Sequence, residues 1–84
     1  MKNILRAVIV DDEQDAVNFI ESIAKEYCPN IEIVGKGHSA IEGIEVITRE
    51  KPDLVFLDVE MPHGSGFDLL AGFPEKDFDV IFIT

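Results

Sequence analysis

The chain has 84 residues, enough for one domain whose single core buries only about 60–65% of the unfolded surface. Apolar residues at 46% and charged residues at 29% describe a globular protein rather than a disordered one. Seventeen acids against seven bases leave a net charge of −10 with no basic stripe, which argues against binding to nucleic acid or to anionic membranes.

Ile4 to Val10 is an almost continuous apolar run, broken only by Arg6, and reads as a buried first strand. A helix follows, with Ala16, Val17, Ile20, Ile23, Ala24 and Tyr27 at three- and four-residue spacing on its inner face. Pro29-Asn30 ends it. Ile31, Ile33 and Val34 form a second strand, and the charges of Glu32 and Lys36 place it at an edge. Ser39 with Glu42 three residues on is a capping box opening a second helix, whose inner face is Ala40, Ile41, Ile44 and Ile47. Pro52 drives Lys51 out of helical geometry. Asp53 to Asp58 is a third strand buried on both faces, Phe67 to Gly72 a short third helix, and Val80 to Ile83 a fourth buried strand.

Strands alternating with helices require parallel pairing, since each helix is the crossover between neighbouring strands. The fold class is therefore α/β, an open doubly wound sheet, because a closed eight-stranded barrel needs a far longer chain. Cys28 stands alone among ordinary packing residues, which rules out an internal disulfide and fits the cytoplasm. No apolar run approaches the roughly 20 residues needed to span a bilayer, and the start does not read as a signal peptide. His38 and His63 fall in loops without partners at ligand spacing and read as solvated. Glu42, Glu45 and Glu50 read as a solvated helix face.

Chemistry concentrates at the strand ends. Asp11 and Asp12 follow the first strand and Asp58 closes the third. Open α/β sheets bind ligands beyond the carboxyl ends of their strands, where the strand order reverses; in the common doubly wound order 2-1-3-4-5 that point lies between the first and third strands. The plainer alternative is that Asp12 caps the first helix and Asp58 is a turn residue. Converging acids resist joint ionisation without a cation, and an oxygen-only set suits Mg²⁺. The D-D-E-Q-D stretch lacks the alternating ligands and glycine of a calcium loop.

V-I-V-D-D-E, L-V-F-L-D-V-E-M-P-H-G-S-G and V-I-F-I-T, taken together, resemble the receiver domain of two-component response regulators along the whole chain, residues 1–84. The resemblance implies a flavodoxin-like doubly wound parallel sheet of order 2-1-3-4. It implies that Asp58 accepts a phosphoryl group from a phosphohistidine of a sensor histidine kinase. Asp12, Asp58 and the backbone carbonyl of Glu60 would ligate Mg²⁺ directly, Asp11 would act through water, and Thr84 would be the switch hydroxyl. Pro62, Gly64 and Gly66 would shape the loop beneath the site, although a plain turn fits them equally.

The family's fold continues through a fourth helix, a fifth strand ending in a lysine, and a fifth helix, none of which has a counterpart here. The chain is thus expected to be a truncated receiver with impaired phosphotransfer, losing electrostatic stabilisation of about 2–4 kcal/mol with that lysine. Val80 and Phe82 are expected to be bare on the side of the first helix, making a homodimer through the fourth strand and the uncovered sheet face. Two other functions compete. One is a receiver-like interaction module that no longer accepts phosphate. The other is a phosphatase of the haloacid dehalogenase type, disfavoured because that class wants Asp-x-Asp where this chain has Asp58-Val59-Glu60.

Overall fold

The computed structural model describes residues 3–83, which form a four-stranded parallel sheet of order β2-β1-β3-β4. The elements are β1 (Leu5–Val10), α1 (Gln14–Tyr27), β2 (Ile31–Gly37), α2 (Ala40–Glu50), β3 (Leu54–Asp58), α3 (Gly66–Ala71) and β4 (Asp79–Ile83). The expected alternation, strand order and edge position of β2 all hold. No helix among the described residues is long and apolar enough to cross a membrane.

Period-two alternation divides the sheet between two faces. Val8, Val10, Val55 and Leu57 point toward α2 and α3, where Val46, Ile47, Leu69 and Met61 complete the main core. The opposite face carries Ile9 beside Phe56 in register, and α1 covers β1 and β2 there through Val17 and Ala24. The inner stripe of α1 is narrower than its periodicity suggested: Tyr27 is 72% exposed and Ile23 borders an apolar cleft instead of filling it.

Helix α2 also presents a different face. Its buried residues are Ala40, Gly43, Val46 and Ile47, while Ile41 is exposed. Gly43 takes the innermost position because a Cβ there would stand 2.5 Å from Leu69 Cδ1 and 2.9 Å from Val10 Cγ1. Ser39 Oγ accepts the Glu42 N–H at 3.1 Å, as the capping box requires, but Glu42 Oε1 accepts from the His38 N–H at 2.9 Å rather than from Ser39. Lys51 closes the helix in the left-handed region at φ 49°.

The fourth strand is not buried as expected. Ile81 is 46% and Phe82 44% exposed, and β4 pairs only with β3 among the described residues. Register corrects which residues take the α1 side. Val80 and Phe82 pair with Val55 and Leu57, so they face the α2–α3 side, where Phe82 lies 5.5 Å from Phe67 between ring centroids. Ile81 and Ile83 take the α1 side, lining the apolar cleft with Ile20, Ile23 and Phe56.

Candidate functional site

Both buried central strands end in acids, and parallel pairing brings those ends together. Val10 pairs with Leu57, so the residues that follow, Asp11 and Asp58, emerge side by side at the carboxyl edge of the sheet. Carboxylate oxygens of Asp11, Asp12 and Asp58 all lie within 4.8 Å of one another. Asp11 is buried at 6% exposure, Asp58 is half-buried and Asp12 is exposed.

Backbone amides brace two of the three acids. Asp11 Oδ1 accepts the Glu13 N–H at 2.9 Å, and Asp58 Oδ1 accepts the Glu60 N–H at 3.2 Å. Asp12 is not the cap of α1, which begins at Gln14; the residue before it, Glu13, makes no side-chain capping bond. Asp11 instead makes a turn-closing bond to the Glu13 N–H, one residue before the helix begins. Asp12 makes no capping bond and is left to the cleft.

The cleft holds about 540 Å³ and is lined by the three aspartates with Glu13, Ala16, Val59 and Glu60. Glu13, Ala16 and Val59 are additions that only the fold reveals, though Glu13 stands in the V-D-D-E stretch itself. No lysine or arginine lines the cleft among the described residues. Burial pushes the Asp58 carboxyl above its ordinary value of 3.8; the Glu60 N–H opposes the rise, and the charges of Asp11 and Asp12 add to it. A hard dication relieves that crowding, and an all-oxygen donor set of this kind fits Mg²⁺.

The loop after β3 is built to hold Asp58 in place. A Cβ on Gly66 would stand 2.5 Å from the Asp58 carbonyl oxygen, so only glycine lets the first turn of α3 close on the strand end. Gly66 N–H donates to the Val59 carbonyl at 2.9 Å, and Gly64 sits at φ 152°. Ser65 and Asp68 form a complete capping box that opens α3. Thr84, the expected switch hydroxyl, lies outside the described residues. His63 is exposed at φ 64°, whereas His38 is partnered, its Nε2 2.7 Å from Gln14 Oε1.

A family model for the response regulator receiver domain matches residues 7–84. An uncharacterised response regulatory protein of Vibrio cholerae is 41% identical over 81 residues, covering 95% of this chain and 34% of the relative. The transcriptional regulatory protein BtsR of Escherichia coli is 36% identical over 81 residues, again 95% of this chain and 34% of the relative. The chain thus spans about a third of the length of these relatives. Among solved structures, the response regulator domain of Thermotoga maritima CheB superposes with a TM-score of 0.86 at 28% identity, covering 94% of this chain and 59% of that one.

Proposed function

The chain belongs to the response regulator receiver domain family, and on that premise we propose that Asp58 accepts a phosphoryl group from a phosphohistidine of a sensor histidine kinase. The observation carrying this is the convergence of Asp11, Asp12 and Asp58 at the carboxyl edge of the sheet within 4.8 Å.

An ionised Asp58 oxygen attacks phosphorus; the O–P bond forms as the P–N bond to imidazole breaks. The departing imidazole keeps the electron pair and takes a proton from solvent. The Glu60 N–H fixes one Asp58 oxygen and so orients the nucleophile. Asp11, braced by Glu13 and buried, holds the floor of the cleft. Asp12, Asp58 and the Glu60 carbonyl would hold Mg²⁺ directly, with Asp11 acting through water. When bound, the ion supplies the positive charge that the acidic lining does not.

That lining contains no basic side chain among the described residues, so among them a bound ion would be the one source of positive charge beside the transferring phosphoryl group. The same observation favours the second reading, a receiver-like module that binds partners without accepting phosphate. Incubation with acetyl phosphate and Mg²⁺ separates the two. Intact mass rising by about 80 Da, one added phosphoryl group, and not rising in Asp58→Asn supports the first. Absence of any adduct while Mg²⁺ is bound supports the second.

The chain also self-associates as a two-fold dimer through β4 and the apolar face beside it. Support comes from the exposure of Ile81 and Phe82 and from the pairing of β4 with β3 alone among the described residues. Its setting is the cytosol, consistent with the unpaired Cys28.

A further inference from the structure

Helix α1 starts beside the acidic cleft with a weak local start signal. Its N-cap, Glu13, makes no side-chain bond to the first turn, so the backbone of residues 11–14 depends on other restraints. One crosses to the neighbouring strand, where Asp11 N–H donates to the Gly37 carbonyl at 3.0 Å; another is local, Glu13 N–H to Asp11 Oδ1 at 2.9 Å. The third comes from His38. Its Nε2 lies 2.7 Å from Gln14 Oε1, while Gln14 Nε2 donates to Asn18 Oδ1 at 2.9 Å. With the amide nitrogen of Gln14 engaged on its own helix, its oxygen is the acceptor and His38 Nε2–H the donor, an assignment made from the bonding network. His38 is in turn anchored to α2, since its backbone N–H donates to Glu42 Oε1 at 2.9 Å.

We propose that His38 is a positioning residue for the acidic cleft, pinning the first residue of α1 to the first turn of α2 so that Asp12 is held facing Asp11 and Asp58. The inference rests on the reading of these three acids as one metal site. Asp12 is exposed, so packing does little to place it and the backbone on either side must. His38 acts through Gln14 and touches none of the reacting groups.

Two measurements test this: Mg²⁺ affinity by calorimetry, and amide hydrogen exchange of residues 13–17 in the metal-free chain. His38→Ala is expected to weaken Mg²⁺ binding about three- to tenfold, somewhat less than losing a group bonded directly to a ligand. It should also speed exchange in residues 13–17 while leaving exchange in β1 and β3 unchanged. Gln14→Ala should do the same, the double variant should add nothing further, and His38→Gln, whose Nε2 is the same number of bonds from Cα, should restore both readouts. Unchanged affinity and exchange in His38→Ala, additive effects of the two alanines, or exchange rising uniformly over the chain would overturn the role. Asp12→Asn separates this from the underlying reading: loss of Mg²⁺ binding there with no effect of His38→Ala rejects His38 alone. Binding that survives Asp12→Asn rejects the site and the role of His38 together.

Discussion

Asp58 Oδ1 accepts the N–H of Glu60, two residues on, at 3.2 Å, yet that amide does not offset the burial and neighbouring acids that raise the Asp58 pKa above 3.8. A carboxyl whose folded-state pKa is raised binds its proton more tightly in the native state. Its stabilising effect is complete below the unfolded value and is lost as pH rises through the raised folded value. Metal-free stability should therefore decline from about pH 4 upward, in the range set by Asp58. Urea unfolding in EDTA across pH 3.5 to 7 should show this decline in the parent chain and a flatter profile in Asp58→Asn. Identical profiles would mean that Asp58 carries no charge strain.

Added Mg²⁺ should reverse that destabilisation. At a hundredfold excess over Kd the linkage amounts to about 2.7 kcal/mol, visible as a rise in Tm that EDTA abolishes and Asp12→Asn removes. Paramagnetic broadening by Mn²⁺ locates the ion: amides 11–13 and 58–60 should disappear first. Broadening spread over Glu42, Glu45 and Glu50 would indicate diffuse attraction to an acidic surface instead.

Gly66→Ala should destabilise the chain by about 1–3 kcal/mol, the usual range for forced overpacking, because its Cβ meets the Asp58 carbonyl at 2.5 Å and Leu57 Cγ at 3.1 Å. Backbone atoms cannot swing aside as a side chain does, so amide shifts should extend to residues 57–60. Urea unfolding gives the energy and the amide spectrum gives the extent.

Arg6 closes α2 from the far end of the sheet. Its Nη1 donates to the Glu50 carbonyl at 2.6 Å and its Nη2 pairs with Glu50 Oε1 at 3.0 Å. The ion pair is partly exposed and contributes little, so the carbonyl bonds at the negative helix end account for most of an expected loss of about 1–2 kcal/mol in Arg6→Ala. Arg6→Lys should recover only part of it, because one ammonium cannot reproduce the fork. The urea midpoint measures both.

Buried parallel strands ending in Asp11 and Asp58 were legible because a continuous apolar run fixes the strand and the acid after it fixes the end. Helix faces were less so. Hydrophobicity alone favours Ile41 over Gly43, but closeness of α2 to Val10 and Leu69 reserves the inner position for the residue without a side chain. The same one-dimensional view hid the partnership of His38, whose acceptor lies 24 residues away on α1. It also missed the capping box of α3, which uses Asp68 where Glu or Gln is usual.

Peptide mapping of the chain after incubation with acetyl phosphate and Mg²⁺ tests the central claim most directly. The phosphoryl group should be found on the peptide containing Asp58 and on that side chain alone. A stable phosphoryl group on any other residue, with Asp58 unmodified, would contradict it.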